Sequence, residues 1–203
     1  LGLGVDVVMQ SSTKSLSGHS DILGGVLTTN SDDLDEQLRF MLKATGGVPS
    51  PFDNWILLRS TKTLGLRYQK ASDNGNELAL WLSEQTGLDR VIYPGLKNHP
   101  QFDIAVKQQR TPNGEVIFGN MISIDVGTIE TRDRFIERLE LFTLAESLGG
   151  VESLICVPYN MTHAALPEES KLEMGITETL IRLSAGIEDV ADLKADLRNA
   201  LGK

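Results

Sequence analysis

Lys14 lies in a run of small and hydroxylated residues, Ser11-Ser12-Thr13-Lys14-Ser15-Leu16-Ser17-Gly18-His19-Ser20-Asp21, directly after an apolar segment at 5–9. A primary amine in such a place can condense with an aldehyde. The hydroxyls of Ser11 and Thr13, with the backbone N–H groups around them, are suitable donors to a phosphate. The same residue types also make an ordinary solvated loop. Arg182 offers a second chemistry. It sits in the apolar run Leu180-Ile181-Arg182-Leu183, and its planar fork matches a carboxylate through two parallel bonds, as a lysine would not. By type alone it equally suits a surface arginine or a structural ion pair. Three dispersed histidines (His19, His99, His163) and the lone Cys156 form no ligand set for structural zinc. His19 and His163 read as hydrogen-bonded structural residues. Cys156, with no His or basic residue beside it, reads as packing.

These residues need elements to position them, and the order of elements is mixed α and β. Val5-Asp6-Val7-Val8-Met9 reads as a buried strand, the stretch 10–25 as a loop rather than a helix, and 26–29 as a second short strand. Ser31 caps a helix with Asp32, Asp33, Asp35 and Glu36 near its positive end and Arg39 and Lys43 near its negative end, stopped by Gly46-Gly47. After Pro49 and Pro51, the stripe Leu64, Tyr68, Ala71, Gly75, Leu78, Leu82 predicts a long amphipathic helix. Strands are expected at 91–93, 119–126 and 179–184, a helix capped by Thr131, and a last helix whose apolar face is Val190, Leu193, Leu197 and Leu201. Strands alternating with helices favour an open α/β layer architecture.

The chain has 203 residues, 40% hydrophobic and 23% charged, enough for a real core in one large or two small domains. A net charge of −9 disfavours nucleic acid and anionic membrane as partners, so any bound anion needs a local pocket. No stretch is apolar enough to span a bilayer. One cysteine excludes an internal disulfide and fits a reducing, cytoplasmic setting. The chain begins on Leu1 and runs at once into an apolar segment, so further residues are expected before it.

Several ordered blocks resemble one family. The lysine run resembles the cofactor-lysine motif of the Cys/Met-metabolism enzymes that use pyridoxal 5'-phosphate (PLP). Asn54-Trp55-Ile56-Leu57-Leu58-Arg59 with Lys62-Thr63-Leu64-Gly65-Leu66-Arg67, then Tyr93-Pro94-Gly95-Leu96, His99-Pro100, the stretch 141–154, Met161-Thr162-His163-Ala164, and 180–189 continue the likeness over the whole chain. Three positions depart from the pattern. Ser15 stands for an aromatic residue, Gln10 for a histidine, and Tyr159-Asn160 is unusual before Met161.

The resemblance implies an α/β fold, the PLP-dependent transferase fold type I (aspartate aminotransferase-like). Residues 1–72 would be the C-terminal part of the large cofactor domain and 73–203 a small α/β domain. It implies PLP as cofactor, Lys14 as the Schiff-base lysine and proton carrier, and Ser11 and Thr13 as donors to the cofactor phosphate. Arg182 would grip the substrate α-carboxylate, Ser147 would help hold the carboxylate or the lysine, and Glu146 would meet the distal ammonium of cystathionine. Glu146 also suits a solvated strand-end carboxylate. A Glu there looks like the γ-synthases and γ-lyases, and Leu148 stands where β-lyases tend to carry Trp. The implied activity is transsulfuration, by γ-elimination or γ-replacement on cystathionine or O-acylhomoserine. Alternatives are O-acylhomoserine sulfhydrylase or methionine γ-lyase, or, in another class, a catalytically incomplete piece that serves only assembly. The family implies a homotetramer built from dimers. Its ring-nitrogen partner, ring-stacking aromatic, phosphate loop and neighbouring-subunit contacts would all precede Leu1, and the missing part would cover apolar surface of this one.

Overall fold

The structure, a computed structural model, describes residues 1–203. The chain divides into two compact units, Leu1–Gly65 and Leu66–Lys203. The division falls in the first turn of the long helix, while the boundary read from sequence lies further along the same helix.

In the first unit, β1 (Val7–Ser11) pairs antiparallel with β2 (Gly25–Thr29), from Val7 opposite Thr29 to Ser11 opposite Gly25. The strand starts two residues later than the apolar run predicts and takes in Ser11, because the ladder is set by β2 rather than by hydrophobicity. Nor is it buried. Met9 is 68% exposed, because β1 has a single strand neighbour. Ser31 caps α1 (Asp32–Thr45) as expected, accepting from the Leu34 N–H, and left-handed Gly46 ends it. Ser50 and Pro51 start α2 (Pro51–Thr61). No residue of α1 is buried, and Phe40, Met41, Phe52, Trp55 and Leu58 are exposed. Large apolar side chains are thus left open to solvent on both helices.

The second unit takes most of α3 (Leu64–Ser83), followed by β3 (Arg90–Ile92), α4 (Phe102–Gln108), β4 (Met121–Asp125), α5 (Ile129–Glu137), β5 (Thr143–Leu144), β6 (Leu154–Cys156), α6 (Glu168–Glu173), β7 (Leu180–Ser184) and α7 (Val190–Ala200). The five strands lie in the order β3-β4-β7-β6-β5, all pairs antiparallel except β5 with β6. The predicted stripe on α3 is buried at Ala71, Gly75, Leu78 and Leu82, while Tyr68 stays exposed. Gly75 is there for space. A Cβ would stand 2.8 Å from the Asn120 Cα and the Gly119 carbonyl oxygen. Ile122, Ile124, Ile155, Ile181 and Leu183 present one sheet face to Leu78 and Leu82 of α3, Phe135 of α5 and Leu193 and Leu197 of α7, in one continuous core. The cap of α5 is Thr128, which accepts from the Thr131 N–H. Thr131, read as the cap from sequence, lies inside the first turn, because the helix starts earlier than its apolar pattern.

Two carboxylates fasten this unit. Asp196, buried on α7, accepts from the backbone N–H groups of Glu140 (2.7 Å), Leu141 (3.0 Å) and Phe142 (3.0 Å), and so closes the turn that leads into β5. Asp125, at the end of β4, accepts from Thr177 and Thr179, just before β7, and from the Gly127 N–H. Burial alone would push the Asp125 carboxyl up. The bonds from Thr179, Gly127 and Thr177, with the nearby Arg90 charge, outweigh it and hold the group below the usual range.

Asp196→Ala should cost about 3 kcal/mol in urea unfolding, because it strands buried N–H donors. A loss under about 1 kcal/mol would mean the turn holds itself. Asp125, with its pKa depressed on folding, contributes stability that is present above about pH 4 and is lost as pH falls through the folded value. Asp125→Asn should therefore lower the urea midpoint at neutral pH and flatten its fall below about pH 4.

Candidate active site

The chemistry read from sequence falls partly in each unit, and each part is built locally. In the first unit, β1 runs straight into a single wide turn, Ser12–Leu16. Its defining bond runs from the Ser17 N–H to the Ser12 carbonyl, five residues back, at 3.1 Å, with Gly18 N–H on the Lys14 carbonyl at 2.8 Å. The turn is not a regular helix, because it kinks in its middle. The stretch expected to be a plain loop is thus a closed turn. Lys14 occupies its middle with non-helical angles, φ −89° and ψ −134°, and is half-buried. The turn is pinned from outside. Ser12 N–H donates to the Gly24 carbonyl (3.0 Å), and the Gly24 N–H donates to Thr13 Oγ1 (3.0 Å). The Thr13 hydroxyl oxygen thus accepts a bond within the protein. Its proton faces the Gly24 carbonyl only at 3.5 Å, beyond a normal O–H···O bond, and remains able to donate elsewhere. His19 closes the loop, donating from Nδ1 to the Ser17 carbonyl (2.6 Å). That is a structural role, and Ser20 beside it takes a left-handed φ of 54°.

In the second unit, Arg182 sits mid-way along β7, on the sheet face opposite the helices. Its cross-strand neighbours are Ser123 on β4 and Cys156 on β6. Nη2 donates to the carbonyls of Glu146 (2.8 Å) and Ser147 (3.2 Å). Nε is buried and has no partner. Arg182 thus touches the Glu146–Ser147 segment through backbone oxygens, while the Glu146 side chain is exposed. Cys156 does have a basic neighbour, contrary to its reading from sequence. The contact is made across the sheet rather than along the chain. Burial pushes its thiol up, the Arg182 charge opposes that, and Glu146 adds to it. His163 Nδ1 lies 2.8 Å from the Thr162 hydroxyl.

What holds this segment was not singled out from sequence. Glu188 accepts from the Ser153 N–H (2.6 Å) and the Ser153 hydroxyl (2.9 Å), whose oxygen in turn receives the Gly186 N–H (2.8 Å). Asn74 on α3 donates to the carbonyls of Gly186 and Glu188, both at 2.9 Å. The exit of β7 is therefore clamped from α3 and from the loop before β6. The only hint in the sequence is that Asn74 interrupts an apolar helix face.

Over residues 1–202 the chain matches the family described as Cys/Met metabolism PLP-dependent enzyme. The chain belongs to this family. It is 48% identical over 201 residues to a cystathionine gamma-lyase of Bacillus subtilis (strain 168), covering 99% of this chain and 52% of that protein. It is 47% identical over 203 residues to a cystathionine beta-lyase of Coxiella burnetii, covering 99% of this chain and 51% of that protein. Among solved structures, cystathionine gamma synthase from Xanthomonas oryzae pv. oryzae in complex with cystathionine superposes with a TM-score of 0.93 at 40% identity, over 99% of this chain and 51% of that one. The fold is that of this family's solved members, and the chain spans about half the length of the curated relatives it matches.

The residues present fit the family's cofactor and an amino-acid substrate. The lysine turn offers one amine and flanking hydroxyls, with no carboxylate from Val7 to Ser20 to repel a phosphate. The orphaned, buried Arg182 Nε–H lacks the acceptor that a carboxylate would supply. No helix is long and apolar enough to cross a membrane.

Glu188→Ala should lower stability by about 2 kcal/mol, since it removes an ionised acceptor from two donors. The urea midpoint of the variant checks this, and an unchanged midpoint would show that Asn74 alone holds the exit of β7.

Proposed function

We propose that the complete protein is a PLP-dependent transsulfuration enzyme, acting on cystathionine or O-acylhomoserine by γ-elimination or γ-replacement. Lys14 holds the cofactor covalently and, once released, moves the proton at the substrate Cα. Ser11 and Thr13 donate to the cofactor phosphate. When bound, the cofactor supplies an electron sink for the pair left at Cα. Arg182 orients the substrate by its α-carboxylate, with Ser147 beside it, and the exposed Glu146 side chain meets a distal ammonium. The full protein assembles as a homotetramer of two dimers and works in the cytoplasm. Residues 1–72 complete a large cofactor domain, and residues 73–203 form the small domain.

The observation that carries this reading is the Arg182 guanidinium. One nitrogen is anchored on two carbonyls, and the buried Nε–H still wants an acceptor. Relatives named gamma-lyase and gamma synthase support the γ-chemistry. The beta-lyases among the relatives favour a second reading, β-elimination from cystathionine. Product analysis separates the two, since each cleaves on a different side of the sulfur.

Lys14→Ala in the full-length protein should reduce turnover of cystathionine about a thousandfold or more. Borohydride, which should fix the cofactor to the Lys14 peptide of the parent protein, should fix none to the variant. Retained turnover with a borohydride-fixed cofactor in the variant would overturn the proposal.

A further inference from the structure

We propose that Ser184 is a positioning residue for substrate binding, acting on Arg182 through the loop between them. The inference rests on the reading of Arg182 as the carboxylate grip. Ser184 lies two residues beyond Arg182 on β7, so both side chains leave the same sheet face. Ser184 is 1% exposed, a buried hydroxyl at the end of an otherwise apolar strand. Its Oγ accepts from the Gly149 N–H at 2.9 Å and from Asn120 Nδ2 at 3.3 Å. Asn120 is itself buried and is locked to β7's exit, donating to the Ala185 carbonyl (2.7 Å) and accepting the Ala185 N–H on its own carbonyl (3.0 Å).

One strand face therefore holds the same short loop at both ends with opposite polarity. Arg182 Nη2 takes the carbonyls of Glu146 and Ser147, and Ser184 Oγ takes the amide of Gly149. Gly149 has a left-handed φ of 73°, which turns its N–H back toward the strand at a position where other residues would be strained. Without the Ser184 oxygen, the Gly149 amide is buried with no acceptor, and the loop must move to find one. The carbonyls that fix Nη2 then move with it, and the direction of the free Nε–H is no longer set. Ser184 touches no substrate in this account. It sets where the arginine points.

The test uses the full-length holoenzyme with cystathionine. Ser184→Ala should raise KM roughly five- to tenfold and leave kcat within about twofold. Ser184→Cys keeps a polar atom at the same position, with a larger sulfur that is a weaker acceptor. It should raise KM by a smaller factor, and it carries the test if the alanine variant does not fold. Placed in an Arg182→Ala background, Ser184→Ala should add less than about twofold, because its effect runs through the missing guanidinium. A lowered melting temperature with KM unchanged in both Ser184 variants would make the residue merely structural and overturn the inference. So would full additivity with Arg182→Ala. If Arg182→Ala alone leaves KM unchanged, the grip itself is refuted and this inference falls with it. That outcome is distinct from one in which only the Ser184 variants are silent.

Discussion

A guanidinium in the middle of a sheet is a constraint that its surroundings must meet. β7 is the central strand, and its other residues are buried. Arg182 emerges on one face among Ser123 and Cys156, with no carboxylate bonded to it. The side chain is only partly buried, but its Nε is cut off from water, and a polar group in that position is costly unless neighbouring dipoles replace the lost hydration. The carbonyls of Glu146 and Ser147 supply part of that replacement. The Nε–H has no partner within the protein. The loop before β6, the clamp at Gly186 and the amide bond to Ser184 all bear on keeping this incomplete solvation in place.

The opposite face shows how the strand is held against that demand. Ile181 and Leu183 are fully buried against helices, and their core carries α3 and α7. Those helices supply Asn74 to the strand exit and Asp196 to the turn before β5. Apolar packing and polar fixation are therefore not separate layers. The same helix that fills the core with Leu78 reaches around the end of β7 with Asn74, one turn earlier on the same side. Gly75 lets α3 approach closely enough to do both.

Much of this was legible in the sequence where the signal is periodic or local. The cap at Ser31, the α3 stripe and the run around Arg182 are patterns of spacing, and the lysine turn is a contiguous motif. What escaped is what the chain brings together from far apart. Ser184 reads as the polar end of a strand until Gly149 is placed against it. Cys156 reads as isolated until the register of β6 sets it across from Arg182. The exposure of β1, read as a buried strand, escaped for another reason. An apolar strand reports that it can be buried, not that its cover lies within the same stretch of chain.

The wide turn at Ser12–Leu16 carries one consequence of its own. The Ser17 N–H reaches back five residues to the Ser12 carbonyl, and Gly24 holds Ser12 and Thr13 from outside, so the lysine is bracketed by fixed backbone on both sides. The lysine is therefore phased against its flanking hydroxyls by residue count, more than by which residues fill the turn. An inserted or deleted residue would change the span between those anchors, and the amine could not keep its present place between the two bonds.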